Sequence, residues 1–165
     1  MNAEELRTAQ APLKARYKED PSRALRTLKA VGQLDPANQT CTLKVDHAPL
    51  IVAGLHEAAG GSGQAACSGD MLLQSLAACA GVTIGAVSTA LGIPVQGGTV
   101  TAEGDLDFRG TLGVDRATPI GFAAIRLTFD LNTDATEEQL ANLLRLTERY
   151  CVIYQTLKVA PGITA

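Results

Sequence analysis

The sequence predicts one domain that mixes helices with antiparallel strands, and three features carry the prediction. The first is the long apolar segment 70–91, closed by Gly92 and Pro94, which reads as a central helix. The second is a pair of runs, 99–109 and 125–131, in which apolar and polar residues alternate with the period of a half-exposed strand. Joined by a polar, turn-rich connection, they read as an antiparallel pair. The third is Thr136-Glu-Glu-Gln139, a capping box that opens a further helix. A chain of 165 residues is long enough to bury one substantial core.

Taken in order, residues 3–18 have the composition of a helix, with Leu6, Leu13 and Tyr17 as apolar points among many charges, and Asp20-Pro21 ends it. Residues 1–20 are read as an N-terminal helical arm, exposed or packed on a partner subunit, and residues 21–165 as the domain. Leu25, Leu28 and Val31 fit a strand near a sheet edge, and Asp35-Pro-Ala-Asn38 is a turn. Residues 40–46 alternate, with Cys41, Leu43 and Val45 on one side, so Cys41 is read as a core strand residue without chemistry. After the apolar run 50–55 comes the glycine-rich loop 60–69. It has neither the Gly-Lys-Ser/Thr ending of a P-loop nor the Gly-x-Gly-x-x-Gly spacing of a dinucleotide site, and is read as a connector. Cys67 within it is read as an incidental loop residue in preference to an alternative partner for Cys79, and His56-Glu57 ahead of it as a surface pair in preference to a pocket-mouth lining.

Asp70 stands where an N-cap or first-turn acid belongs. Along the central helix, Leu72, Ser75, Leu76, Cys79, Val82, Thr83 and Ala86 fall on one stripe. In the strand that follows, Val100, Ala102, Leu106 and Phe108 oppose Thr101, Glu103, Asp105 and Asp107. The helix opened by Thr136 presents Leu140, Leu143, Leu144 and Thr147 on its inner face, and one more turn arrives at Cys151. Residues 151–158 close the chain as a short apolar helix or turn.

Composition narrows the function. A net charge of −3 and a pI near 5.3 give no electrostatic reason to expect nucleic acid or an anionic membrane as partner. With no tryptophan, three tyrosines and three phenylalanines, there is little to build a base-stacking surface. No apolar run is read as long enough to span a bilayer without polar interruption, and the N-terminal residues lack a secretion-signal pattern, so the expected location is the cytoplasm. The cysteines at 41, 67, 79 and 151 are too few and too irregularly spaced for a disulfide scaffold, and they form no metal-binding pattern with His47 and His56. Structural thiols or redox chemistry remain. Cys79 alone is better explained as a small buried core residue; a second thiol, Cys151, on the apolar face of another predicted helix shifts the balance toward the redox reading.

Two segments together resemble a known family: Ala77-Ala78-Cys79 in the central helix after an acidic start, and Glu148-Arg-Tyr-Cys151-Val-Ile-Tyr-Gln-Thr-Leu157. In this order, with strands between, they resemble the OsmC/Ohr family of osmotically inducible and organic hydroperoxide resistance proteins. The resemblance covers roughly residues 23–164, including Pro119-x-Gly121-Phe122. It implies an α+β, OsmC-like fold of antiparallel sheets with a central helix, in an intertwined homodimer whose site lies at the subunit interface. It also implies a thiol-dependent peroxidase for organic, and also inorganic, hydroperoxides in oxidative-stress defence. Cys79 matches the thiol that becomes a sulfenic acid, and Cys151 the one that closes a disulfide with it. An external dithiol, in some members a lipoylated protein, reopens that bond, and no metal or bound organic cofactor is needed.

Only a thiolate is a good nucleophile, and Cys79 lies mid-helix, beyond the reach of its own helix dipole, so the expectation is a cation supplied from elsewhere. The family uses an early arginine held by a carboxylate near the start of the central helix. Asp70 matches that carboxylate, where relatives commonly have glutamate, and Arg23 and Arg26 are the early arginines nearest the place. On a straight helix Asp70 and Cys79 face opposite ways, about 13 Å apart along the axis, so any link runs through a guanidinium or the partner subunit. Val152 replaces the proline that usually follows the second cysteine. The leading reading is the peroxidase; these departures motivate the runner-up, an OsmC-like dimeric stress or small-ligand-binding protein without peroxidase turnover.

Overall fold

The computed structural model describes residues 2–25, 27, 31–35, 40–44 and 50–165. In chain order the elements are α1 (Ala3–Glu19), β1 (Val31–Asp35), β2 (Thr40–Lys44), β3 (Ile51–Gly54), β4 (Ala66–Cys67), α2 (Ser68–Leu91), β5 (Gly97–Asp105), α3 (Phe108–Thr111), β6 (Ala124–Asn132), α4 (Glu137–Tyr150) and α5 (Val152–Lys158). Two short 3-10 turns, Pro21–Ala24 and Glu57–Ala59, complete the list of described elements. This is the expected α+β class. Arg26, Leu28 and the turn expected after Asp35 lie outside the described residues.

The chain divides into two compact units. One comprises Leu28–Ser75 and Ala102–Leu127, the other Met1–Thr27, Leu76–Thr101 and Thr128–Ala165. The first of these holds a four-stranded sheet in the order β1-β2-β3-β4, with β1 at an edge; of the residues read as an edge strand Val31 lies in it, whereas Leu25 caps the preceding 3-10 turn, where Pro21 and the Asp20 side chain set the turn instead. Strands β1 and β2 pair antiparallel (Asp35 opposite Thr40), as do β2 and β3 (Thr40 opposite Gly54). The glycine-rich segment is more than a connector: its last residues form β4, which pairs parallel with β3 through Ala53 and Ala66 and leads directly into α2. Gly60 takes a left-handed conformation to close the turn that starts this crossover.

Strand β5 ends at Asp105, earlier than the alternation of 99–109 suggests. The Asp107 side chain accepts a hydrogen bond from the Arg109 N–H and caps α3 instead, so the local polar side chain overrides the strand pattern. Gly104 gives Phe122 its place: a Cβ there would lie 2.6 Å from the ring. The pairing of β5 with β6 is antiparallel, framed by Gln96 N–H on the Asn132 carbonyl at one end and Ala123 N–H on the Asp105 carbonyl at the other. At Gly98, with φ +143, a Cβ would meet the Asp130 carbonyl oxygen at 2.2 Å, so glycine is what lets the two strands approach.

The second unit is built on helices. α1 opens on a capping box between Asn2 and Glu5, and α4 on the expected one between Thr136 and Gln139. Helix α2 stops at Leu91, where Gly92 turns left-handed at φ +68 and Ile93 N–H returns to the Ser88 carbonyl. Ile84, Ile93 and Leu143 form the buried centre, with Val87, Val95, Phe129, Leu131 and Leu144 packed around them. On α4 the sequence pattern and the structure agree: Leu143, Thr147 and Cys151, one turn apart each, are the buried stripe. On α2 they do not. The buried residues are Leu76, Ala80, Ile84 and Ser88, whereas Leu72, Ser75, Val82 and Ala86 of the expected stripe are exposed, Val82 by 76%. A helix that is apolar nearly all round carries no polar face to fix its phase.

The same helix corrects the expectation about membrane spans. Its 24 residues, with a mean hydropathy of 1.6 over an 18-residue window, are long and apolar enough to cross a bilayer. Its buried side nevertheless belongs to the core just described. Leu143 is fully buried at the centre of that core, so Leu143→Ala is expected to cost about 3 kcal/mol of stability, read as a lowered urea midpoint with unchanged slope.

Candidate active site

The second unit brings Cys79 and Cys151 together. Cys79 is half-buried on α2; Cys151 has 0% exposure at the joint between α4 and α5. Cys151 is at once the C-cap of α4 and the N-cap of α5, with an extended backbone (φ −73, ψ 109), and its own N–H is spent on the Thr147 carbonyl at 2.9 Å. Gln155 holds the joint from the far side. Its backbone N–H reaches the Cys151 carbonyl (3.0 Å) and its side-chain amide the Glu148 carbonyl (2.8 Å). Tyr154 adds a hydroxyl to the Glu148 carboxylate at 3.2 Å. α4 and α5 are thereby tied across the cysteine, which fixes where its sulfur points.

Cys151 makes no side-chain cap for α5, so the first N–H groups of that helix are available to another acceptor. Cys79 is that acceptor. Burial by itself pushes its thiol up, but the Ile153 N–H, the Cys151 thiol, the Val152 N–H and the Thr83 hydroxyl outweigh it, and the net effect holds Cys79 below the ordinary thiol range. Cys151 shifts the other way. Burial raises it most, the Tyr154 N–H opposes this, and the hydrogen bond to Cys79 and the negative charge there raise it further. Two thiols that are equal in water are therefore unequal here, and Cys79 is the one of the pair that ionises first. In the structure the one proton of the Thr83 hydroxyl goes to the Cys79 carbonyl at 2.7 Å, one helical turn away, so Thr83 serves the thiolate only by turning from this carbonyl.

The remaining candidates are placed as follows. Asp70 is exposed in the first turn of α2. Arg23 lies in the 3-10 turn after α1 and pairs with Asp20 at 3.1 Å. Arg26 is outside the described residues. Among the described residues, the groups that lower the Cys79 pKa are backbone N–H groups, a thiol and a hydroxyl, with no guanidinium among them. Cys67 is half-buried in β4, and among the described residues no group of three or more metal-ligating side chains gathers.

Sequence reasoning missed Thr83 as a partner of Cys79, and it missed the two N–H donors. The signal for one donor was present: a proline after Cys151 has no N–H to give, and Val152 does. Val152→Pro is thus expected to raise the midpoint of Cys79 alkylation against pH by about one unit, since a hydrogen bond to a charged group is worth roughly that much. Proline suits the first position of a helix and the residue before it is already extended, so the fold should hold. Peptide-resolved iodoacetamide labelling across pH measures the shift.

The model of the family described as OsmC-like protein matches residues 61–165. The chain belongs to the OsmC family. No curated protein matches it in sequence. Among solved structures it is similar to an OsmC-like protein from Mycoplasma pneumoniae, with a TM-score of 0.68 at 16% identity over 82% of this chain and 89% of that one. It is also similar to an organic hydroperoxide resistance protein from Elizabethkingia anophelis, with a TM-score of 0.62 at 16% identity over 82% and 91% of the two chains. A third is the organic hydroperoxide resistance protein OhrB of Bacillus subtilis, with a TM-score of 0.56 at 18% identity over 82% and 93%. At these identities the likeness is one of fold.

Proposed function

We propose that the chain is a thiol-dependent peroxidase for organic and related hydroperoxides, with Cys79 as nucleophile and Cys151 as resolving thiol. The observation that carries this reading is that Cys79 of α2 and Cys151 at the α4–α5 joint are neighbours that perturb each other, Cys79 held below and Cys151 above the ordinary thiol range. The Cys79 thiolate attacks the terminal peroxide oxygen, the O–O bond breaks, and an alcohol leaves once its alkoxide takes a proton. Cys79 is then a sulfenic acid. Cys151 loses its proton and attacks that sulfur, expelling water and forming the Cys79–Cys151 disulfide. An external dithiol, a lipoylated protein in some relatives, restores both thiols and is itself oxidised to a disulfide. No metal or resident organic cofactor enters this sequence, and a reducing compartment such as the cytoplasm suits it.

The proposed working form is a homodimer. The outward side of α2, with Ala78, Val82 and Gly85 exposed, is an apolar surface that a second copy would cover, and the family's paired central helices suit such a cover. Arg23 or Arg26 as the activating cation, with Asp70 holding it, belongs to the same proposal. Consumption of an organic hydroperoxide by the purified protein with and without a dithiol tests the reading. Catalytic consumption only with the dithiol is expected, and none in either condition leaves the chain a family member without this activity.

A further inference from the structure

No proline or glycine lies between Glu137 and Lys158, so nothing in the backbone chemistry of this stretch ends α4 at Tyr150. In an unbroken helix the Val152 N–H would donate to the Glu148 carbonyl and the Ile153 N–H to the Arg149 carbonyl, each four residues back. The extended backbone at Cys151 (φ −73, ψ 109) takes both donors off that path, and they reach the Cys79 sulfur instead. A helix that stops leaves its last carbonyls without intrahelical donors. At Glu148 a side chain of α5 takes the place: the Gln155 amide, seven residues on, donates to this carbonyl at 2.8 Å. The Gln155 backbone N–H bonds the Cys151 carbonyl at 3.0 Å, which fixes Gln155 one turn into α5 while its side chain reaches back across the joint.

We propose that Gln155 is a positioning residue for the thiol pair: by occupying the Glu148 carbonyl it keeps α4 from continuing through Cys151, and so holds the Val152 and Ile153 N–H groups on the Cys79 sulfur. Without that amide the Glu148 carbonyl is open to the Val152 N–H, and a helix that closes there withdraws donors from Cys79. Gln155 touches neither sulfur in this role and acts through the backbone of its own helix. The catalytic meaning of the inference rests on the reading of Cys79 as nucleophile, but its test needs no peroxide.

Gln155→Met keeps the length of the side chain and removes its donor, and because Gln155 is exposed the fold should hold, with melting temperature as the control. The Cys79 alkylation midpoint against pH, read on the full chain by peptide-resolved iodoacetamide labelling, is expected to rise by about one unit. Val152→Pro supplies the second arm. Proline has no N–H to return, and its ring clashes with the carbonyl four residues back, so the helix cannot close in that background. There Gln155→Met should add no further rise, a non-additivity that general loosening of the joint would not produce. Peroxide consumption by the parent chain, measured separately, tests the reading of the thiols and does not move the midpoint. A Gln155→Met midpoint equal to that of the parent chain, or a full further rise on top of Val152→Pro, would overturn the assignment.

Discussion

Cys79→Ser is expected to abolish dithiol-dependent peroxide consumption, a loss of at least about a thousandfold. Serine keeps the size and the hydrogen-bonding contacts of the side chain but is not ionised at neutral pH, so the donors from Val152, Ile153 and Thr83 have no anion to stabilise. The substitution also separates chemistry from architecture. Cys79 is only half-buried and lies off the Leu76–Ala80–Ile84–Ser88 stripe, so the melting temperature should change little while turnover disappears. Equal rates for the variant and the parent chain would remove the enzyme reading and leave the fold assignment intact.

Cys151→Ser is expected to act differently. The first turnover should survive, because Cys79 still meets the peroxide, while steady-state turnover with a dithiol falls about a hundredfold. Without its resolving thiol the sulfenic acid on Cys79 persists, is trapped by dimedone, and proceeds to the sulfinic acid when peroxide is in excess. A second effect follows from the electrostatics. The Cys151 thiol is one of the donors that hold the Cys79 pKa down, so its loss should move the alkylation midpoint of Cys79 upward unless the serine hydroxyl takes its place. Single-turnover kinetics and dimedone labelling, read on the Cys79 peptide, check both. Catalytic turnover equal to that of the parent chain would mean that another thiol resolves the intermediate, and Cys67 in β4 would then need testing.

The parts of the fold legible in the sequence are those where a polar and an apolar pattern agree. Thr136 and Gln139 announce α4, and Leu143, Thr147 and Cys151 lie inward as their spacing implies. In β6 the half-buried residues Ile125, Leu127, Phe129 and Leu131 alternate with exposed ones as read. Where the pattern carries less information, the reading slips. The phase of α2 was not legible because small and apolar residues surround it, and the end of β5 was not legible because one Asp107 carboxylate outcompetes the alternation. The two cysteines could be named from sequence, and their partners could not. Backbone N–H groups leave no side-chain signature, so the donors from the first turn of α5 emerge only once α4 and α5 are joined at Cys151. The family resemblance pointed to an arginine for the task that these donors perform within the described residues.

The central claim is that Cys79 and Cys151 act as one redox pair, and its most direct measurement is the covalent state of the chain after one equivalent of an organic hydroperoxide. Peptide mapping under non-reducing conditions should recover the Cys79 and Cys151 peptides joined by a disulfide, with two hydrogens lost and Cys67 still free. Recovery of Cys79 as a free thiol, or of Cys79 oxidised to the sulfinic acid beside an unlinked Cys151, would contradict the account.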